Sequence, residues 1–372
     1  MPQTQVLIIG GSYTGTGVAH HILKNNSNVK VTLVNTSTHY FFNIASPRIV
    51  AKPKEVPLDK VLISIPEHFK QYPSSAFEFV HGTVTSLDIS SRTARIDGER
   101  EIKYDYVVIA SGSTTPSTIG KESIPFKATE QDDLRDRLRD AQDRIAKSKS
   151  IIIAGAGPVG VETAGEIAEA YPGTTVTLIS SRGQVLPDLK PAAASKASSN
   201  LQNLGVKIVL STKVTSSQLD ERTGKWTVSL DNGKVLDADL FISAAGNIAN
   251  TSFLKPDYLD QEGWVKVDDN LRVQGVKDGS AFALGDVTTF KQRYLLKAQD
   301  QIAIVAGNVA ASIGKGALKT YNASDKLMVF VPIGSKSGTG QVGGWVVWSF
   351  MVAFAKGRDY FVPKAASYIS AK

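Results

Sequence analysis

The 372-residue sequence contains no cysteine. That absence excludes a disulfide, a thiolate nucleophile, a Cys-x-x-Cys redox pair, an iron–sulfur cluster and a cysteine-bound zinc. Any redox chemistry must therefore be borrowed from a cofactor. The five histidines show no metal-ligand spacing and no Ser-His-Asp arrangement stands out, so no metal is expected. Long apolar runs are also missing. The longest near the C-terminus, "WVVWSFMVAFA" from Trp345 to Ala355, is well short of the ~20 residues a membrane span needs. It reads as either a core helix or an interfacial one. Blocks of like charge are absent too: 42 Lys and Arg against 35 Asp and Glu give a net charge of +7, but the charges are scattered. A solvated basic surface is the preferred reading over a dedicated nucleic-acid face. The N-terminus, Met1-Pro2-Gln3-Thr4-Gln5, leaves no room for a signal or transit peptide, and Pro2 stands where myristoylation requires glycine. A cytoplasmic, non-secreted protein is the expectation.

What is present is a pair of nucleotide-binding signatures. In "VLIIGGSYTGTG", Val6 to Gly17, an apolar strand feeds a glycine turn in which Gly10 and Gly15 match G-x-G-x-x-G while Ser12 replaces the middle glycine. A helical pattern from Val18 and a second strand at Val29 to Asn35 complete a βαβ unit of about 30 residues. The same grammar returns midway, with a strand at Ile151 to Ala154, a full fingerprint at Gly155, Gly157 and Gly160, a helix, and a strand at Thr175 to Ile179. Glycines admit the backbone to a pyrophosphate, and the helix N-terminus offers free N–H groups and a positive dipole end. Two such units imply two dinucleotides. Serine is the smallest polar substitute for the middle glycine, and its hydroxyl can donate to a phosphate oxygen. The sharp expectation is that Ser12 Oγ bonds the pyrophosphate.

Three further stretches are apolar strands ending in small-residue turns: "YDYVVIASGS" (Tyr104 to Ser113), "ADLFISAAGN" (Ala238 to Asn247) and "AFALGDV" (Ala281 to Val287). In the last, Asp286 can accept a hydrogen bond from a sugar-alcohol hydroxyl, and Lys297 to Ser312 reads as a helix. The order of these motifs resembles the two-dinucleotide flavoprotein oxidoreductases, in which FAD occupies the first site and NAD(P)H the second. Within them, "FFNIASPR", "GPVGVETAGEI", "VPIGSKSGTGQ" and "AKGRDYF" look like the apoptosis-inducing-factor homologues of the mitochondrion-associated type, relatives of type II NADH:quinone oxidoreductases.

That resemblance implies an α/β architecture with two Rossmann-like domains and a small α+β C-terminal domain. The FAD domain would be split, 1–115 and 245–310; the NAD(P)H domain would span 116–244, and residues 311–372 would cover the flavin. The charged stretch Glu130 to Lys149 fits a domain-crossing helix, although by itself it is a solvated helix with i,i+4 charge pairs. Association with mitochondria or another membrane surface is left open.

The FAD residues expected are Gly10, Gly11, Ser12, Tyr13, Thr14 and Gly15 in the turn, Asp286 at the ribityl chain, Arg48 at the flavin and Val84, whose backbone would hold the adenine. Position 35 departs from the pattern: an acid usually takes the ribose hydroxyls there, and Asn35 can bond the diol only without charge assistance. For NAD(P)H the expected residues are Gly155, Gly157, Pro158, Val159 and Gly160, with Ser181 for a 2′-hydroxyl and Arg182 for a 2′-phosphate. NADH and NADPH remain alternatives. Glu162 is the catalytic candidate, as a carboxamide-orienting group or a proton carrier; the competing reading is an acid favoured by the helix dipole. Glu166 reads as structural, and His39-Tyr40-Phe41-Phe42 as a flavin wall or as core.

The function expected is hydride transfer from NAD(P)H to flavin N5, with electrons passed on to a non-disulfide acceptor, a quinone by resemblance. Trp345, Trp348, Phe350 and Phe354 would offer an apolar face to a lipidic quinone or a membrane surface. Two alternatives stand beside it: a cell-death signalling protein with DNA binding and slow redox turnover, and a ferredoxin- or rubredoxin-type reductase docking an acidic protein. Oligomeric state is not legible.

Overall fold

Val6, Leu7, Ile8 and Ile9 are apolar on both sides of the strand, and such a strand is stable only when both sheet faces are covered. A computed structural model, describing residues 2–120, 123–129, 133–290, 293–324 and 326–371, places them so. Strand β1 (Thr4–Ile9) runs into helix α1 (Tyr13–Asn25) and then β2 (Val29–Asn35), which pairs parallel to β1. Strand β3 (Phe77–His81) extends the sheet beyond β2, and β4 (Tyr106–Ile109) lies parallel to β1 on its other side.

The second unit follows the same plan. Strand β5 (Ser150–Ala154) leads through a glycine turn to α2 (Pro158–Ala170) and β6 (Thr175–Ile179), and β7 (Lys207–Val209) and β8 (Leu240–Ser243) complete a four-stranded parallel sheet in the order β7-β6-β5-β8. The chain then returns to the first sheet: β9 (Ala281–Ala283) pairs parallel with β4, giving the order β9-β4-β1-β2-β3. The first sheet thus takes strands from both sides of the second unit in sequence. Helix α3 (Leu295–Gly314) packs against α1, with Ile302 reaching the α1 backbone at Gly17. The result is a mixed α/β fold with two Rossmann-like parallel sheets.

The charged helix Leu134–Lys147 is amphipathic. Leu134, Leu138, Ala141 and Ile145 bury one face at i, i+4, i+7 and i+11, and Gln142 Nε2 donates to the Ile49 carbonyl at 2.8 Å. Residues 130–132, which the sequence reading included in this helix, lie outside the described residues. Near the C-terminus, Met328–Ile333, Ser337–Val342 and Trp345–Val346 form an antiparallel sheet. The core-helix alternative for residues 345–355 does not hold. Trp345 is 83% exposed, Trp348 70%, Phe350 65% and Phe354 72%, while Val352 is buried. A single helical turn, Ser349–Val352, continues as a π-turn, Ala353–Gly357, too short to hide a full apolar face. Among the described residues no helix is long and apolar enough to cross a membrane.

Candidate functional site

The two glycine turns have nearly the same backbone. Gly10 has φ +108° and Gly155 has φ +107°, a left-handed region that glycine adopts without penalty. A Cβ on Gly15 would stand 1.9 Å from the Gly10 carbonyl oxygen, and one on Gly160 the same distance from the Gly155 oxygen. Only glycine lets the helix start this close to the strand it leaves. The middle positions match as well: Ser12 has φ/ψ −78°/−179° and Gly157 −73°/−177°. Those angles suit any residue, which explains how serine enters the fingerprint without strain. Ser12 occupies the N-cap of α1 yet makes no side-chain cap bond, and neither α1 nor α2 has an acid in its first turn. The positive end of each helix is left for an anion.

A cavity opens in front of the first turn. Gly10, Gly11, Ser12, Tyr13 and Thr14 form one wall, and Val84, Asn35 and Asp286 line it from three other strand ends. Gly15, too tightly packed to face it, acts through the close approach already described. Burial, then Asp286 and Tyr40, raises the Tyr13 phenol well above its ordinary range, so it stays protonated. Asn35 does something the fingerprint does not foretell. Its Oδ1 accepts the Gly11 N–H at 2.8 Å and its Nδ2 donates to the Ser37 carbonyl at 2.7 Å. The amide first serves to fasten the turn to the end of β2; an aspartate could accept the first bond but not donate the second.

Asp286 is also partnered. Lys127 Nζ lies 2.7 Å from its Oδ2, and Ser113 Oγ approaches the same oxygen at 3.5 Å. Lys127 carries no sequence signature, yet its loop is well anchored: the Phe126 and Lys127 N–H groups donate to Thr118 Oγ1 at 3.2 and 3.3 Å. Gln301 on α3 accepts the Gly285 N–H at 2.7 Å, setting the turn that aims Asp286.

Arg48 and Glu162 meet in a second, drier cluster. Arg48, expected at the flavin, has its guanidinium committed elsewhere: Nε and Nη2 bind both oxygens of Glu166 at 2.9 and 2.8 Å, and Nη1 donates to the Arg358 carbonyl at 3.0 Å. It is 1% exposed and does not line the cavity before the first turn. Lys52 reaches Glu166 at 3.1 Å and also Glu169, and Tyr360 Oη donates to Glu166 at 3.2 Å. Glu162 pairs with Lys356 Nζ at 2.6 Å. Burial pushes its carboxyl up to about 7, only partly opposed by the Lys356 ammonium. Tyr360 and Phe361 hold φ of +49° and +61°, consecutive left-handed residues that turn the chain so Tyr360 enters this cluster. Lys52, Lys356 and Tyr360 were not picked out individually; the quoted segment "AKGRDYF" contains Lys356 and Tyr360, and Lys52 lies outside every quoted motif.

At the second turn, Val159 is exposed, and a Cβ on Gly157 would meet nothing within 4 Å. Ser181 and Arg182 follow β6 with exposed side chains; the Arg182 N–H donates to Ser180 Oγ and its carbonyl accepts the Ser211 N–H. This side is open, in contrast to the walled first site.

Residues 4–309 match the model of the family described as "Pyridine nucleotide-disulphide oxidoreductase". The chain belongs to that family. It is 36% identical over 357 residues to the oxidoreductase ptaL of Pestalotiopsis fici, covering 93% of this chain and 94% of that one. It is 28% identical over 370 residues to the ferroptosis suppressor protein 1 of Homo sapiens, covering 96% and 93%. The solved sulfide:quinone oxidoreductase of Aquifex aeolicus superposes with a TM-score of 0.78 at 15% identity, covering 99% of this chain and 92% of that one, a likeness of fold. As a family member the protein is an NAD(P)H-dependent flavoprotein oxidoreductase with FAD as its cofactor. Its own residues fit that group: a left-handed glycine cradle, an uncapped helix N-terminus and a cavity that Asp286 lines. The family's dithiol chemistry does not apply, because the chain has no cysteine.

Proposed function

We propose that this protein is an NAD(P)H:quinone oxidoreductase of the apoptosis-inducing-factor-like type, with FAD held in the walled first site and NAD(P)H exchanging at the open second one. Bound FAD supplies the two-electron chemistry, taking a hydride from NAD(P)H and passing electrons to the acceptor. Gly10 to Gly15 would hold the pyrophosphate, Val84 the adenine by its backbone and Asp286 the ribityl hydroxyls. Asp286 would do so with Lys127 balancing its charge. Gly155 to Gly160, including Pro158 and Val159, would hold the second dinucleotide, with Ser181 and Arg182 reading its ribose. Arg48 is assigned a different task, locking the Ser46–Ala51 helix to α2 through Glu166.

The observation that carries the reading is the Glu162–Lys356 pair. The net reaction NAD(P)H + quinone + H⁺ → NAD(P)⁺ + hydroquinone takes up one proton. Glu162, two residues beyond the pyrophosphate turn and with its carboxyl pushed to about 7, can hold and release a proton near neutral pH. The aromatic face at Trp345, Trp348, Phe350 and Phe354 supports a lipid-borne acceptor, and residues 326–358 contain no acid to repel an anionic bilayer. Stopped-flow reoxidation of the NADH-reduced protein tests this. Reoxidation by a ubiquinone analogue in anionic vesicles should outpace that by oxygen or by a ferredoxin, and Trp348→Ser/Phe350→Ser should slow only the vesicle reaction. Equal rates with all three acceptors would reject the quinone assignment.

A further inference from the structure

Buried polar atoms almost always have hydrogen-bond partners, so those without one point to something the site receives. Among the described residues, five buried side-chain atoms find no partner: Tyr40 Oη, Thr114 Oγ1, Asp133 Oδ1, Thr163 Oγ1 and Thr339 Oγ1. Two of these residues, Tyr40 and Thr114, are in the wall of the cavity before the first glycine turn. They come from opposite sides of it. Tyr40 sits in the short strand His39–Phe41 after β2, and Thr114 in the strand Ser113–Thr114 after β4.

The surroundings are built to hold these hydroxyls in place. Tyr40 is 2% exposed, and its ring meets Phe42 edge-on with centroids 6.4 Å apart. Thr114 is pinned by its backbone, paired with Ile248 in a two-stranded antiparallel ribbon. A phenylalanine and a valine would fill the same volumes without burying a lone donor, so the hydroxyls cost stability unless a ligand meets them.

We propose that Tyr40 Oη and Thr114 Oγ1 are hydrogen-bonding ligands of the FAD cofactor, additional to the glycine turn and Asp286. The inference rests on the family assignment of FAD to this chain. FAD matches the need chemically: its phosphate oxygens, ribityl hydroxyls and ring carbonyls are acceptors distributed along the molecule, so two separated donors can both be satisfied. Neither residue belongs to the fingerprint, because the fingerprint secures the backbone approach and these hydroxyls come from strands that merely end nearby.

The test uses opposite signs on one variant. The full-length protein is stripped of flavin and titrated with FAD, and thermal unfolding is followed without flavin and with saturating FAD. Tyr40→Phe should raise the FAD dissociation constant about tenfold, the loss of one buried hydrogen bond. The same variant should raise the unfolding midpoint of the flavin-free protein, because an unpartnered hydroxyl is gone. Thr114→Val should behave alike, with a smaller rise of roughly fivefold. Thr163→Val is the control: its hydroxyl is equally orphaned but lies outside the cavity wall, so it should raise the midpoint and leave FAD affinity unchanged. An unchanged FAD dissociation constant in both Tyr40→Phe and Thr114→Val would overturn the proposal, as would a lowered flavin-free midpoint in both. Wild-type protein that takes up no FAD would overturn the cofactor reading itself, and this inference with it.

Discussion

The two dinucleotide turns share their backbone and differ in what fastens and surrounds them. Positions 10 and 155, 12 and 157, and 15 and 160 correspond in dihedral angles and close contacts. Beyond those points the first turn is fastened and walled: Asn35 ties Gly11 to β2, and Gly17 lies against Ile302 of α3. The second turn is open and fastened differently: the Ala156 carbonyl accepts the Leu186 N–H at 2.7 Å, Ser180 at the equivalent strand end bonds Gln184 and Arg182 instead of the turn, and Glu162 stands where the first has Gly17. One backbone therefore serves two kinds of ligand. A fastened, enclosed turn suits a cofactor that stays, and an open one suits a cofactor that leaves after each turnover.

The largest effect should come from the feature both turns share. Gly15→Ala and Gly160→Ala each drive a methyl to 1.9 Å from a backbone oxygen, and neither carbonyl can yield without moving its strand. Gly15→Ala should give protein without flavin absorbance, and Gly160→Ala should retain flavin while losing several kcal/mol of stability. Flavin retention through gel filtration, together with unfolding curves, separates the two outcomes. Equal flavin loss in both would blur the division of labour.

Next in size is the fastening. Asn35→Asp keeps an acceptor for Gly11 but sets a carboxylate against the Ser37 carbonyl, costing about 1–3 kcal/mol and weakening FAD binding. Ser180→Ala, at the matching position, should leave FAD affinity as it was. FAD titrations of both variants check this; a larger effect on FAD from Ser180→Ala would invert the comparison.

Glu162 gives a pH signature confined to the second turn. Its folded value of about 7 exceeds the ordinary 4.5, so the folded protein binds this proton more tightly. Its stabilising contribution is fully present below about pH 4.5 and is lost as pH rises through about 7. Glu162→Gln should flatten that decline, by up to roughly 3 kcal/mol across the window. Denaturant unfolding at a series of pH values reads it directly, and an unaltered slope would remove the special environment claimed for this carboxyl.

The smallest effect should follow from exchanging the middle residues. Ser12→Gly and Gly157→Ser keep allowed dihedral angles, so stability should shift by under about 1 kcal/mol. Ser12→Gly should cost a few-fold in FAD affinity if the hydroxyl meets the pyrophosphate. No change in affinity would reduce Ser12 to a tolerated substitution.

The parts of this protein set by short-range physics were legible in the sequence: parallel strands apolar on both faces, glycines at obligatory close approaches, and the acid at the end of "LGD". What escaped depends on side chains converging from distant segments. Arg48 was noticed, but nothing near it in sequence reveals Glu166, which lies 118 residues on and takes up its charge. Lys127 reaches Asp286 across 159 residues from a loop with no motif. Asn35 looked like a weakened ribose contact because the fingerprint specifies the ligand side of that position and is silent on the Ser37 carbonyl beside it. The aromatic run at 345–355 was ambiguous because periodicity alone does not say whether an apolar segment has a partner.

The central claim is that a resident flavin in the first site is reduced by a nicotinamide dinucleotide at the second. Anaerobic titration of the purified protein with NADH, and separately with NADPH, while recording the visible absorbance of the oxidised flavin, tests it most directly. The account predicts bleaching complete at one equivalent of at least one donor per flavin, and loss of that bleaching in Gly160→Ala with the flavin still bound. A flavin that stays oxidised through excess NADH and NADPH, or one bleached equally well in Gly160→Ala, would contradict it.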